Sequence, residues 1–231
     1  MNPSLVGSEM CIRDRNKVIS KNNIDLVYPA NSIIIDSLSE NRDRINADIL
    51  LPDHSIIDLT RSKKRTIARL ESIILTPKVF LTKESVFNFP VFVKPDRGYG
   101  SQGARVVNSH TELDSIPFDD FIVQELLPGR EFTIDCFSDK NCSLLFSGGR
   151  ERSRVRMGTS MHAEIVTKDL EDQFELMASK ILKEIPISGA FFFQVKEDVK
   201  GRLKLLEIDI RIAGTMGFNR CRGINFPMLS I

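Results

Sequence analysis

Residues 90–107 constrain this chain more than any other stretch. They read Pro-Val-Phe-Val-Lys-Pro-Asp-Arg-Gly-Tyr-Gly-Ser-Gln-Gly-Ala-Arg-Val-Val: a strand ending in Lys94, a glycine-rich loop, and a second β-branched strand. Loop glycines let backbone N–H groups crowd around an anion, and a lysine beside them adds a point charge. The combination suits a polyphosphate.

The element after the loop separates the kinds of phosphate site. Gly98, Gly100 and Gly103 satisfy the dinucleotide spacing G-x-G-x-x-G, but that fingerprint opens a helix, and here the chain runs into a strand. No Gly-Lys-Ser/Thr closes the segment as a P-loop would. In protein kinases the lysine lies on the later strand, whereas Lys94 precedes the loop, and neither a kinase catalytic loop nor Asp-Phe-Gly is present. Tyr99 in place of a glycine excludes a Ser elbow. The plain alternative is a hairpin turn with incidental glycines.

A second signal lies in residues 189–195, Gly-Ala-Phe-Phe-Phe-Gln-Val, and 202–211, Arg-Leu-Lys-Leu-Leu-Glu-Ile-Asp-Ile-Arg. Strand alternation puts Glu207, Asp209 and Arg211 on one face and Leu206, Ile208 and Ile210 on the other. A two-residue turn at Lys200-Gly201 sets Gln194 opposite Glu207. One amide oxygen and two carboxylates then converge, a hard-oxygen set suited to Mg²⁺ shared with substrate phosphates. A half-buried strand showing its charges to water is the competing reading. The loop after Arg211, residues 212–218, offers further backbone donors.

The order of elements predicts an α+β chain. Residues 24–28 read as a strand, 32–45 as a helix, 47–51 as a further apolar segment, and 63–70 as a helix capped by Ser62. From residue 90 strands dominate, at 91–94, 104–107, 121–125, 131–137, 143–147, 163–166, 190–196 and 203–210. One late helix at 170–185 carries Phe174, Leu176, Met177, Ile181 and Leu182 on an apolar face.

Composition narrows the function classes. A formal charge of +1, two Tyr and no Trp argue against a dedicated nucleic-acid surface. No apolar run reaches bilayer-spanning length, so no membrane role is expected. Four cysteines without CxxC or ligand-like spacing to the three histidines disfavour zinc and fit a reducing cytoplasm. Leu5 to Asp14 read like an in-frame translation of a sequencing adapter. Residues 1–15 are therefore expected to be disordered and adapter-derived, with the natural start missing; the plain alternative is a disordered natural N-terminus.

The ordered set of Lys94, the glycine loop, Gln124-Glu-Leu-Leu-Pro-Gly-Arg-Glu131, Gln194 and Glu207-Ile-Asp-Ile-Arg211 resembles the ATP-grasp superfamily, in particular the carbamoyl-phosphate-synthetase-type ATP-binding domain. The resemblance spans roughly residues 23–231. It implies a two-lobe ATP-grasp fold at 62–231, truncated at its C-terminus, after the remnant of a small α/β pre-ATP-grasp domain at 16–61.

It also implies site roles. Lys63 becomes the first basic contact to the nucleotide and Lys94 the lysine on the α/β-phosphates. Gly98, Gly100, Ser101, Gln102 and Gly103 belong to the loop over the phosphates. Gln124, Glu125, Leu126 and Leu127 form the strand along the adenine edge, with Glu131 on the ribose. Gln194, Glu207 and Asp209 match the positions for Mg²⁺ (or Mn²⁺), and Arg211 faces the transferred phosphoryl group. The family often has Asn at Asp209.

Such a site joins a small carboxylate to an amine or ammonia at the expense of ATP, through an acyl phosphate. Phosphoryl transfer needs positioning and charge neutralisation rather than a protein nucleophile, which fits a chain with no credible Ser-His or Cys-His pair. The other expectations are a non-catalytic ATP-binding module and a dinucleotide-dependent oxidoreductase. Arg150, Arg152, Arg154 and Arg156 alternate, so a strand would show them on one face, either as a solvated edge or to bind an anionic substrate. His162 has no partner in the pattern.

Overall fold

The computed structural model describes residues 9–98, 100–156, 159–214 and 217–230. The chain opens with helix α1 (Glu9–Asn22). Strand β1 (Leu26–Val27), helix α2 (Ser32–Glu40) and strand β2 (Asp48–Ile49) come next, with β1 and β2 parallel. Asn31 caps α2 by accepting from the Ile33 N–H at 2.9 Å. Helices α3 (His54–Arg61) and α4 (Lys63–Leu70) complete the first stretch, and the Ser62 hydroxyl caps α4 by accepting from Arg65 N.

Beyond α4 lies a four-stranded sheet in the order β3-β6-β4-β5. Its strands are β3 (Val79–Phe80), β4 (Val91–Pro95), β5 (Arg105–Val107) and β6 (Phe121–Glu125), with the short helix α5 (His110–Leu113) between β5 and β6. Val91, Val93, Val107, Leu113 and Val123 form its own buried cluster. This is a small lobe with a separate core.

The larger sheet runs β11-β10-β7-β8-β9. It consists of β7 (Glu131–Ser138), β8 (Leu144–Arg156), β9 (Thr159–Ile165), β10 (Gly189–Glu197) and β11 (Leu203–Asp209). Helix α6 (Lys168–Glu184) buries Phe174, Ala178, Ile181 and Leu182 in the same cluster as α1, α2, Ile57 and Leu70. Gly149 permits this packing: a Cβ there would lie 2.4 Å from the Phe174 ring. Two short helices, α7 (Gly217–Cys221) and α8 (Phe226–Leu229), come after the sheet. The architecture is α+β in two lobes, as expected.

Several expectations need correction. Residues 9–15 are not outside the fold: they form the start of α1, and Ile12 is buried. Residues 1–8 lie outside the described residues. Helix α3 has no counterpart among the expected elements, and β8 and β9 are longer than their predicted cores. The β10–β11 turn is not two residues at Lys200-Gly201. Asp198 and Arg202 close it, with Gly201 at φ +73°, and the strand pairing starts at Glu197↔Leu203. A bulge at Leu206 then adds back one residue, so Gln194 does face Glu207 and Phe192 faces Asp209.

Candidate active site

The two sheets enclose a cavity of about 340 Å³, within the range of small-molecule sites. Phe92, Lys94 and Gln124 line it from the small lobe. Glu131, Gln194, Glu207, Asp209 and Arg211 line it from the large sheet, and Lys63 comes from α4. Gly98, Gly100, Ser101, Gln102, Leu126 and Leu127 also reach it. Gly103 and Glu125, expected beside the nucleotide, are not among the lining residues. Glu125 instead accepts from the Lys78 backbone N–H at 2.8 Å and is ion-paired with Lys204.

Strand β4 carries Lys94 inward, 8% exposed, where its ammonium donates to the Leu206 carbonyl at 3.0 Å. Burial, joined by the charge of Lys63, pulls its pKa down to about 8, while Glu207 and Glu131 act against that shift. Lys63 Nζ donates to Asp96 O at 3.2 Å and stands 4.0 Å from Glu207.

Asp96 fixes the stem of the glycine loop to the start of α4. It accepts from Ser62 Oγ at 2.8 Å and from Lys64 N at 2.7 Å. Arg97 pairs with Asp58 on α3, and that pairing, with Arg65 alongside, holds the Asp58 carboxyl down at about 2. Beyond the stem, Gly100, Ser101 and Gly103 have positive φ values of 62°, 56° and 73°. At Gly103 a Cβ would also meet Pro95 Cγ at 3.2 Å, so a side chain there would be both strained and crowded. Tyr99 lies outside the described residues. Strand β5 leaves the loop in antiparallel register with β4, which removes the helix that a dinucleotide fingerprint requires.

On the large sheet, Asp209 and Arg211 are locked together. Arg211 Nε lies 3.0 Å from Asp209 Oδ2, and the guanidinium stacks 5.0 Å from the Phe192 ring centroid. Burial pushes the Asp209 carboxyl up, against the lowering effect of Arg211 and Ser32. Glu207 and Asp209 form a carboxylate pair open to the cavity. Among the described residues no three His, Cys, Asp or Glu side chains gather into a metal cluster, so a cation here would complete its shell with other oxygens, from water or a bound phosphate.

Arg152 is no solvated edge: its side chain is 6% exposed, it pairs with Glu131, and it donates to Gln194 Oε1 at 3.2 Å. The expected ribose residue and the expected amide ligand are thus bridged by one guanidinium. Arg150, 1% exposed, pairs with Asp135. Arg150, Arg152 and Arg154 do not share one regular face, because register irregularities flank Arg154 in β8; the Arg156 side chain lies outside the described residues. His162 is exposed, bonded with Ser153 Oγ at 2.7 Å, and not part of the cavity wall. Residues 215–216 of the loop after Arg211 lie outside the described residues.

Ser32 carries no signal in the sequence, yet its hydroxyl touches both Asp209 and Arg211. No local pattern could have found it, since 177 residues separate it from Asp209.

The family described as "ATP-grasp in the biosynthetic pathway with Ter operon" matches residues 117–231. The arginine-specific carbamoyl phosphate synthase large chain of Bacillus subtilis is 25% identical over 156 residues, which is 62% of this chain and 15% of that protein. The D-alanine–D-alanine ligase of Pediococcus pentosaceus is 37% identical over 67 residues, 26% of this chain and 19% of its own length. The chain therefore spans less than one fifth of either curated relative. In fold, the biotin carboxylase domain of Hydrogenobacter thermophilus 2-oxoglutarate carboxylase, solved with MgADP, ADP and bicarbonate, superposes with a TM-score of 0.80. It shares 16% identity, over 95% of this chain and 55% of that one.

Proposed function

We propose, from the premise that this chain carries an ATP-grasp domain of the carbamoyl-phosphate-synthetase-like kind, that it binds Mg·ATP between its two sheets and activates a small carboxylate for attack by an amine or ammonia. One observation carries the reading. A single cavity gathers two buried lysines, Lys94 from the small lobe and Lys63 from α4, with two carboxylates and an arginine from the large-sheet side.

In this reading Lys63 and Lys94 hold the phosphates, and Gly98, Gly100, Ser101, Gln102 and Gly103 close over them. The backbone of residues 124–127 takes the adenine edge. Glu131 takes the ribose once Arg152 yields. Glu207 and Asp209, with Gln194, fit a hard divalent cation by their donor chemistry; bound there, Mg²⁺ would neutralise phosphate oxygens. Among the described residues no helix is long and apolar enough to cross a membrane.

The chemistry asks little covalent work of the protein. A carboxylate oxygen attacks the γ-phosphorus, the bond to ADP breaks, and an acyl phosphate forms. The amine then attacks the acyl carbon and loses a proton, and phosphate leaves with the former carboxylate oxygen. Arg211 spreads the charge developing on the transferred group. Closure of the glycine loop keeps water from the acyl phosphate.

The test is oxygen transfer. With ¹⁸O-labelled carboxylates and a panel of amines, the label should appear in inorganic phosphate alongside ADP. Unlabelled phosphate would mean hydrolysis by water, and ATP binding without ADP formation would favour a non-catalytic module.

A further inference from the structure

We infer that Ser32, at the start of α2, is a positioning residue for the phosphoryl-transfer site: its hydroxyl sets which oxygen of Asp209 is available to a cation and which way Arg211 faces. The inference rests on the ATP reading above and concerns a residue of the N-terminal stretch, far outside the motifs that carry that reading.

The geometry is a closed triangle. Arg211 Nε donates to Ser32 Oγ at 2.7 Å, and Ser32 Oγ donates to Asp209 Oδ2 at 2.8 Å. The third side is the ion pair of Arg211 Nε with the same Oδ2 at 3.0 Å. A hydroxyl both accepts and donates, so it can serve both partners at once, and an apolar side chain can serve neither. Among the described residues both contacts to this carboxylate, from the hydroxyl and from Arg211, fall on Oδ2. Oδ1 is left as the oxygen to turn toward a cation. Arg211 is held further by Nη1 to the Ile212 carbonyl at 2.9 Å and by Phe192 beneath it. The plane of its guanidinium is thereby fixed before any ligand arrives.

Ser32 is itself over-determined. It is 2% exposed, and the helix it begins is fixed by the Asn31 cap and by Ile35 and Leu38 in the main core. The hydroxyl is thus supplied by a rigid element. Without it, Arg211 and Asp209 could pair more closely, side by side, which would neutralise the carboxylate against a cation and turn the guanidinium from the cavity. The N-terminal stretch would then act as part of the active site rather than as a neighbour of it.

Calorimetric titration with ATP alone, Mn·ATP and Mn·ADP separates positioning from mere packing. Ser32→Ala is expected to weaken Mn·ATP about tenfold, as loss of a hydrogen bond to charged groups does. Metal-free ATP should change less than twofold, and Mn·ADP, which keeps the cation but lacks the γ-phosphate facing Arg211, should weaken less than Mn·ATP. Ser32→Cys, which fills the space with a poor hydrogen-bonding group, should behave like Ser32→Ala and serves if the alanine variant melts too low. Ser32→Thr, which keeps the hydroxyl, should retain most of the Mn·ATP affinity. Equal weakening of all three ligands, or none, would overturn the positioning role while leaving the ATP reading intact. Failure of the unsubstituted chain to bind Mn·ATP more tightly than ATP would overturn both.

Discussion

The Lys94 ammonium donates at 3.0 Å to the carbonyl of Leu206, the one residue that β11 carries in excess of β10. The bulge therefore has two effects. It restores the register that sets Gln194 opposite Glu207, and it turns a carbonyl toward the opposite lobe to receive a buried lysine.

Lys94→Met should remove nucleotide binding without unfolding the chain. A buried ammonium is costly to desolvate, and methionine has a similar length without the charge. The melting temperature should hold or rise, while stabilisation by ATP disappears. A substantial loss of melting temperature, or ATP binding within threefold of the unsubstituted chain, would contradict this role.

The pKa of Lys94 gives ATP binding a pH dependence. In the free protein it titrates at about 8 against an ordinary value of 10.5. Bound phosphate favours the charged form, so above pH 8 binding must take up a proton and affinity should fall, by up to about tenfold per unit. Between pH 8 and 10.5 the unfolded chain binds more protons at this group, so its contribution to stability rises with pH in that window. Titrations at pH 8.5 in buffers of differing ionisation heat should show proton uptake, and Lys94→Arg should abolish it.

Glu207→Gln keeps the shape and hydrogen bonding of the side chain but removes its charge. It should eliminate the Mg²⁺-dependent part of ATP affinity and leave the melting temperature within a few degrees. Asp209→Ala should do the same to the metal dependence. If both variants retain Mg²⁺-dependent ATP turnover, these carboxylates do not hold the metal.

Gly149→Ala tests the packing that supports β8. The added methyl would sit 2.4 Å from the fully buried Phe174 ring, and overpacking of this kind costs about 1–3 kcal/mol. Chemical denaturation should report a loss in that range, and an unchanged midpoint would show that α6 shifts freely.

Local pattern gave away much of this molecule, and long-range contacts hid the rest. The β-branched runs around Lys94 and the alternation through Glu207 and Asp209 are readable because strand periodicity acts over a few residues. The register of Gln194 is right by way of the wrong turn: a longer turn and a bulge cancel, and neither has a strong signal in Leu203 to Leu206. Helix α3 escapes because it is one short stretch after Pro52, and Asp53 makes no side-chain capping bond. Arg152 stays open in the sequence between a solvated edge and a contact to an anion, because only the folded sheet brings Glu131 and Gln194 beside it. Ser32 is invisible for the same reason.

Thermal stability measured with ATP, with ATP plus Mg²⁺, and with NAD tests the central claim most directly. A ligand that binds only the native state raises stability as the logarithm of its concentration over Kd. The predicted result is a shift that needs ATP and is enlarged by Mg²⁺, with no response to NAD. A shift with NAD alone, or none with ATP and Mg²⁺ together, would contradict the reading of this cavity as an Mg·ATP site.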